Sequence, residues 1–269
     1  MAAGASRRAR VLFAGALALW ALAPCPSKAQ SLYSIPTDSP ASPVDETRPL
    51  RVILHARNPD ELAKVLGVEA PKAGADALAY VLDGYTVIRG IPVHSWLDST
   101  FVLDYEDSRV ALLSAEFKKS LGKEPAADEA TRTALVEFVA ATIKSSLERG
   151  FDIASEVATH REGDCTEHAV LAAALARAAH IPARVVLGLA LIHDPKQYEA
   201  YGHAWAELKI DGQWVVADAA LHNLAYPVRY LPFGVLENEG MGFALNVARL
   251  TPVWVQRVEV LGEVAALAK

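Results

Sequence analysis

The sequence has few cysteines and no long apolar segment, and each scarcity excludes a class of protein. Two cysteines among 269 residues exclude a disulfide-stabilised scaffold and a zinc site built from several cysteines. The longest apolar run, residues 11–23, has thirteen residues and falls short of the ~18 residues expected of a membrane-spanning helix. Hydrophobic residues nevertheless make up 52% of the chain, so it can bury a substantial core.

The N-terminus has the pattern of an export signal. Three arginines within residues 7–10 precede the apolar run. In residues 27–29 (SKA), the first and third side chains are small, as a signal peptidase requires at its two recognition positions. We therefore predict a signal peptide over residues 1–29, cleaved after Ala29. The protein is then exported, periplasmic or secreted, with no stable membrane insertion after cleavage. An uncleaved membrane anchor is the alternative, and the short apolar run argues against it.

Removal of this segment leaves a strongly acidic chain with a single thiol. Residues 1–29 contain four of the 26 basic residues and none of the 32 acidic ones, so the formal charge changes from −6 to −10. A protein of this charge is a poor binder of nucleic acid, and we expect no nucleic-acid partner. Cleavage also removes Cys25. The remaining Cys165 is either buried and inert or kept for its chemistry.

Changes in composition divide the rest of the chain into three parts. Residues 30–49 are rich in proline and serine and predict a flexible leader. Residues 50–125 contain several strand-like runs, among them residues 100–105 (TFVLDY), and predict a β-rich N-terminal subdomain. Residues 126–262 predict a second domain that mixes helices and strands and begins with an amphipathic helix over residues 128–149.

Cys165 lies at the start of a predicted helix. In the sequence GDCTE, Asp164 suits the N-cap position and Glu167 follows at the capping-box spacing. The helix dipole and the free N–H groups of a first turn favour an anion, which lowers the pKa of a thiol placed there. Because the two neighbouring carboxylates oppose this effect, a histidine partner matters more for activation of the sulfur.

A hairpin further along the chain supplies that partner. Residues 211–212 (DG) predict a two-residue turn, so that Ile210 faces Gln213 and the numbers of every opposing pair add up to 423. His203 and Asp218 then lie on one face of the hairpin as diagonal neighbours, within reach of a side-chain hydrogen bond. The opposite face is uniformly apolar, which supports this register because a slip of one residue would bury the polar face.

Cys165, His203 and Asp218 together form a candidate catalytic triad. His203 would take the proton of the thiol and later protonate a leaving amine, while Asp218 would hold the imidazole in place. The backbone N–H of Cys165 is a candidate oxyanion donor. A buried structural thiol is the alternative interpretation of Cys165.

Neighbouring residues have more than one interpretation. His168 lies one turn beyond Cys165 and is expected on the polar surface of the helix, or alternatively in contact with the triad. A metal site made of Cys165, His168 and His203 lacks a second pair of ligands, so we predict no metal and no cofactor. Glu207 is expected in a salt bridge or on the surface, and Tyr201 in a polar loop that could gate the cleft.

Three segments resemble the transglutaminase-like superfamily, whose catalytic core is similar to that of papain-like cysteine proteases. They are residues 161–168 (REGDCTEH), 173–184 (AALARAAHIPAR) and 203–218 (HAWAELKIDGQWVVAD). By position, the resemblance implies that Cys165 is the nucleophile, His203 the base and Asp218 the orienting carboxylate. His180 departs from the family pattern, which has glycine there, although histidine tolerates the left-handed conformation of a helix end.

The resemblance implies an α+β fold of the papain-like or transglutaminase-like cysteine hydrolase type, with the catalytic domain over residues 126–262. It also implies acyl transfer from peptide or isopeptide amide bonds through a thioester on Cys165, by a cysteine protease, an amidase or a protein-glutamine acyltransferase. The expected partners are peptide, protein or cell-envelope amide substrates. A hypothesis from another class is a non-catalytic envelope binding or scaffolding domain that keeps the fold.

Overall fold

The structure is a computed structural model that describes most of the chain after residue 33. The described residues are 34–39, 48–72, 74–85, 96–149, 152–194, 196–236 and 255–263. The predicted signal peptide and most of the predicted leader lie outside the described residues. Within these ranges, no helix combines the length and the apolar character needed to cross a membrane.

Helices and strands alternate irregularly along the chain, which confirms the predicted α+β class. The helices are α1 (Pro59–Leu66), α2 (Ser108–Leu121), α3 (Glu129–Thr142), α4 (Ala154–His160) and α5 (Cys165–Ala178). The strands are β1 (Ser34–Ile35), β2 (Thr37–Asp38), β3 (Leu50–Ala56), β4 (Ala77–Leu82), β5 (Lys144–Ser145), β6 (Glu162–Gly163), β7 (Ala183–Asp194), β8 (Gln197–Ile210), β9 (Gln213–Ala217), β10 (Val228–Val235) and β11 (Val255–Glu263).

The larger sheet contains a gap in the pairing of its central strand. Its order is β1-β8-β7-β10, and β9 also pairs with β8. Because β7 occupies one edge of β8, both β1 and β9 pair with the other edge. The pairing with β1 ends at Tyr201, and that with β9 begins at Ala206. Among the described residues, no strand pairs with residues 202–205 on this edge, and His203 lies within the gap.

The hairpin between β8 and β9 has the predicted register. All five of its pairs add up to 423, and the last of them joins Ala206 to Ala217. The turn residues Asp211 and Gly212 have φ angles of 49° and 79°, as a type I′ turn requires. Pairing stops before Asp218. Its carboxylate therefore approaches β8 beyond the last pair of the hairpin and not within the paired region.

Helix α5 lies at the centre of the main hydrophobic core. It is buried from Thr166 to Arg177, and its many alanines allow the helix to approach β7 and β8 closely. Helices α2, α3 and α4 pack around it. At its C-terminal end, His180 has a φ angle of 58°. The left-handed conformation expected there is confirmed, and it redirects the chain into β7.

A smaller sheet packs against the larger sheet through the half of β7 that contains Leu189 and Leu191. Its order is β2-β11-β3-β4. Together with α1 it forms a second hydrophobic core, which includes Leu189 and Leu191 from β7. Strands β1 and β2 fall within the segment predicted as a leader, and they pair with β8 and β11 respectively.

Three local predictions are wrong. Residues 100–105 form turns and not a strand, because their N–H groups bond within the segment. The helix predicted over residues 128–149 ends at Thr142, because the next residues form β5 and pair with β6. Tyr201 does not belong to a gating loop, since it lies within β8 and pairs with Ala190.

Candidate active site

Cys165 is the first residue of α5, as the capping pattern predicted. The Asp164 carboxylate accepts the N–H of Thr166 at 2.7 Å, and the Glu167 carboxylate accepts the N–H of Asp164 at 2.9 Å. These two bonds fix the first turn of the helix. The side chain of Cys165 is half-buried, while the helix behind it is fully covered. The sulfur is therefore carried by a rigid element, on a residue that is only partly buried.

His203 and Asp218 form a buried pair beside this thiol. Nε2 of His203 lies 2.7 Å from Oδ2 of Asp218, and the two residues are only 6% and 7% exposed. The Cys165 side chain is close enough to His203 to raise the pKa of the imidazole. Because Nε2 faces the carboxylate, Nδ1 is the nitrogen left for the sulfur. The structure thus brings the three predicted residues together, with the imidazole between the other two.

Four hydrogen bonds hold the carboxylate of Asp218 in place. Besides His203, the hydroxyl of Tyr230 donates to Oδ2 at 2.8 Å. The backbone N–H groups of Ala220 and Leu221 donate to Oδ1 at 3.0 and 3.2 Å. Burial favours the neutral acid, but the charge of His203 and these donors outweigh it, so the pKa of Asp218 lies below its ordinary value. The carboxylate is therefore ionised and fixed in orientation.

Tyr230 is a site residue that the sequence patterns did not reveal. It lies on β10, which pairs with β7 and not with β8. Its hydroxyl reaches Asp218 across the strand that separates β10 from β8. No spacing or motif connects this tyrosine to the hairpin, so only the order of the strands could have indicated it.

The environment of His203 favours its protonated form. Burial by itself would lower the pKa of the imidazole. The Asp218 carboxylate and the Cys165 side chain outweigh burial and raise the pKa of His203 to about 10. At neutral pH the favoured species is therefore an imidazolium between a carboxylate and a sulfur.

The stability of the fold should consequently depend on His203 between pH 6.5 and pH 10. A raised pKa contributes stability that is complete below the ordinary value of 6.5 and is lost as the pH rises through about 10. We expect the free energy of unfolding, measured with urea, to fall more steeply in this window for the wild type than for His203→Asn. The difference in slope should reach at most about 1.4 kcal/mol per pH unit. Parallel curves for the two proteins would contradict the raised pKa.

Aromatic rings hold the imidazole on its sheet face. The ring of Trp205 stacks on that of His203 with centroids 6.1 Å apart and planes 20° from parallel. The ring of Tyr230 lies 6.3 Å from His203 and 5.1 Å from Trp205. Trp205 is fully buried. The imidazole therefore rests on a side chain that the surrounding core keeps in place.

Gly188 faces His203 across β7 and β8 and has no room for a side chain. A Cβ there would lie 2.3 Å from a backbone oxygen of β10 and 2.7 Å from the ring of Trp205. We expect Gly188→Ala to reduce the free energy of unfolding by about 1–3 kcal/mol and to slow alkylation of Cys165. Gly122→Ala is the control, since Gly122 has a positive φ but open space around it. Equal effects of both variants on alkylation would contradict this prediction.

His168 and Glu207 are buried, so the surface positions considered for them are wrong. His168 is 4% exposed, and its Nδ1 lies 2.6 Å from the carbonyl oxygen of Asp164. Burial lowers the pKa of His168 and keeps it neutral. Glu207 is 0% exposed and forms the expected salt bridge, with Nε of Arg184 2.5 Å from its carboxylate. The periodicity of one element could not show this, because α5 and β8 are covered on several sides.

The arrangement suits proton transfer. Among the described residues, no three His, Cys, Asp or Glu side chains are grouped as metal ligands. Nε2 of His203 is engaged by Asp218, and Nδ1 of His168 by a backbone carbonyl. The geometry provides a thiol, an imidazole and a carboxylate side by side, with the imidazole in the middle.

Comparisons with known proteins give a family match over part of the chain and several distant structural similarities. Residues 115–219 match the family model of the transglutaminase-like superfamily. A proposed cysteine protease from Cytophaga hutchinsonii is 21% identical in a structural alignment that covers 63% of this chain and 50% of that one, with a TM-score of 0.43. The periplasmic domain of TgpA from Pseudomonas aeruginosa is 23% identical over 43% of each chain, with a TM-score of 0.33.

This chain spans half or less of the length of these two structures. No curated protein matches its sequence. The family match includes all three residues of the candidate triad and confirms the resemblance seen in the motifs. The part of the chain that carries the candidate triad is thus similar to the transglutaminase-like superfamily.

Proposed function

We propose that this protein is a cysteine-dependent acyl transferase or hydrolase that cleaves amide bonds through a thioester on Cys165. The observation that supports the proposal is the position of the His203 imidazole, which forms a hydrogen bond with the Asp218 carboxylate at 2.7 Å and interacts with the neighbouring Cys165 side chain. A nucleophile, a base and an orienting carboxylate in this order are the groups that acyl transfer requires.

In the first half of the reaction, the sulfur of Cys165 attacks the amide carbonyl carbon while His203, as the imidazolium, holds the proton of the thiol. The carbonyl π electrons move to the oxygen, and the backbone N–H of Cys165, free in the first turn of α5, donates a hydrogen bond to it. When the oxyanion collapses, the C–N bond breaks and the imidazolium gives its proton to the leaving amine. The acyl group remains on sulfur as a thioester.

In the second half, an acceptor removes the acyl group. His203 takes a proton from the acceptor, whose oxygen or nitrogen attacks the thioester carbon. The C–S bond then breaks, and the sulfur recovers the proton held by His203. We propose water as the acceptor and a peptide or cell-envelope amide as the donor, because the motifs resemble those of exported hydrolytic members of the family. An amine acceptor is the competing outcome of the same intermediate.

We also propose that the protein acts outside the cytoplasm. The support is the N-terminal sequence, with arginines before an apolar run of thirteen residues and a small-residue site ending at Ala29. The predicted cleavage leaves an acidic protein that carries one thiol, Cys165. Mass analysis of the exported form would test the position of cleavage directly.

Intact-mass analysis with cell-envelope peptides tests the enzymatic proposal. We expect an acyl adduct on the wild type that is absent from Cys165→Ala. Its decay in water alone would identify a hydrolase, and faster decay with addition of the acyl mass to a supplied primary amine would identify a transferase. If no adduct forms and Cys165 reacts with iodoacetamide like an ordinary thiol, the proposal is wrong and the non-catalytic binding domain is the better interpretation.

A further inference from the structure

Tyr85 connects the N-terminal part of the chain to the candidate active site. It follows β4 by three residues and lies at the edge of the core cluster that contains Trp205. Its hydroxyl donates a hydrogen bond to the carboxylate of Glu207. The same oxygen accepts the indole N–H of Trp205 at 3.1 Å. A residue about 120 positions upstream thus holds two side chains of β8, the strand that carries His203.

The direction of these bonds is fixed by a buried charge. Nε of Arg184 holds the Glu207 carboxylate at 2.5 Å, and both side chains are almost fully buried. An ionised carboxylate accepts and cannot donate, so the Tyr85 hydroxyl must direct its proton toward Glu207. The lone pairs of the Tyr85 oxygen are then available for Trp205. Burial and the charge of Glu207 raise the pKa of Tyr85, which keeps this hydroxyl protonated.

The indole that Tyr85 holds is the one that stacks on His203. The two rings are 20° from parallel, so the orientation of the indole defines the surface on which the imidazole rests. Trp205 is fully buried, and Tyr85 accepts the hydrogen bond of its indole N–H. A water molecule could replace Tyr85 as the acceptor only if the core opened. Loss of the Tyr85 hydroxyl would leave the N–H unsatisfied and favour a rotated indole.

We propose that Tyr85 is a positioning residue for the His203 imidazole and acts through Trp205. The N-terminal part of the chain therefore completes the candidate active site and is not an independent appendage. The inference rests on the proposed function for its kinetic consequence, but its structural consequence can be measured without any substrate.

The structural test compares Tyr85→Phe with the wild type by NMR. We expect the indole N–H resonance of Trp205, assigned by its absence in Trp205→Phe, to lose its protection from solvent exchange. The ring protons of His203, assigned with His203→Asn, should shift because the stacked indole has moved. Tyr105→Phe is the matched control, since the Tyr105 hydroxyl donates one bond to the Leu97 carbonyl at 2.9 Å. Unchanged Trp205 and His203 resonances in Tyr85→Phe would overturn the inference.

The kinetic test follows alkylation of Cys165 by iodoacetamide as a function of pH, measured on the peptide that contains it. We expect Tyr85→Phe to slow alkylation at pH 6 by about 10- to 100-fold and to shift the midpoint of the pH profile, whereas Tyr105→Phe changes neither. In a Trp205→Phe background, Tyr85→Phe should have no additional effect, because its target is absent. An undiminished effect in that background would show that Tyr85 acts by another route.

The two tests separate failure of this inference from failure of the proposed function. If wild-type Cys165 reacts as an ordinary thiol and no acyl adduct forms, the proposed function fails, and the NMR comparison still decides the position of Trp205. If the wild type forms the adduct and Tyr85→Phe matches it in alkylation rate and pH profile, the positioning role is overturned while the enzyme remains.

Discussion

Turnover of an amide substrate by His203→Ala is expected to be at least about 10⁴-fold lower in kcat than that of the wild type. His203 contacts both Cys165 and Asp218, and its loss leaves the thiol without the base beside it. Alanine also leaves the ionised Asp218 buried without its imidazolium partner. The measurement is steady-state release of the amine from the peptide that forms the acyl adduct, with alkylation of Cys165 at pH 6 as a second readout.

The control for this prediction is another histidine variant, His160→Ala. His160 is exposed on α4, where its Nε2 lies 3.3 Å from the carboxylate of Glu156. Its loss should leave kcat and alkylation of Cys165 near the wild-type values. A His203→Ala protein that is folded, by its urea transition, and retains kcat within tenfold of the wild type would exclude His203 as the base.

Arg184→Met is expected to reduce the free energy of unfolding by about 3–5 kcal/mol. Arg184 and Glu207 have side chains 3% and 0% exposed, and their ion pair lies under the ring of Trp214, with the guanidinium 4.1 Å from the ring centroid. Removal of the arginine leaves a buried carboxylate with the Tyr85 hydroxyl as its remaining partner in this network. The pKa of Glu207, already raised by burial, should rise further. Urea denaturation at pH 7 measures the loss.

A double variant isolates the cost of the uncompensated charge. Arg184→Met combined with Glu207→Leu removes both charges, so we expect it to recover most of the lost stability. Arg109→Met is the surface control, because Arg109 forms its ion pairs with Asp107 and Glu156 in solvent. If Arg184→Met reduces the free energy of unfolding no more than Arg109→Met does, the buried pair does not have the role assigned to it. The same conclusion follows if the double variant is less stable than Arg184→Met alone.

The parts of the site that the sequence predicted are those fixed by neighbouring residues. The capping box at Asp164 and Glu167 depends on a spacing of three residues, and it placed Cys165 correctly in the first turn of α5. The turn at Asp211 and Gly212 depends on two φ angles, and it fixed the register of β8 and β9.

The same local reasoning failed where packing from elsewhere in the chain decides. His168 and Glu207 are polar residues with suitable positions for a surface, yet both are buried because other elements cover their faces. Residues 100–105 have the composition of a strand, but they form turns next to α2. At His168 and Glu207 a local preference of a fraction of a kcal/mol competes with many tertiary contacts, and the contacts prevail. In residues 100–105 hydrogen bonds within the segment replace those of a strand.

By itself the sequence predicted the candidate nucleophile, base and carboxylate and the resemblance to the family, because capping, turn geometry and motif order act over short stretches of chain. Only the tertiary structure decided that, among the described residues, β1 and β9 leave residues 202–205 without a strand partner on the edge of β8 away from β7. It also decided that Tyr230 reaches Asp218 across β7 and that Tyr85 anchors the indole behind His203. These contacts join residues that lie far apart along the chain. Their formation depends on the order of the strands and the fit of buried rings, which no spacing within one element encodes.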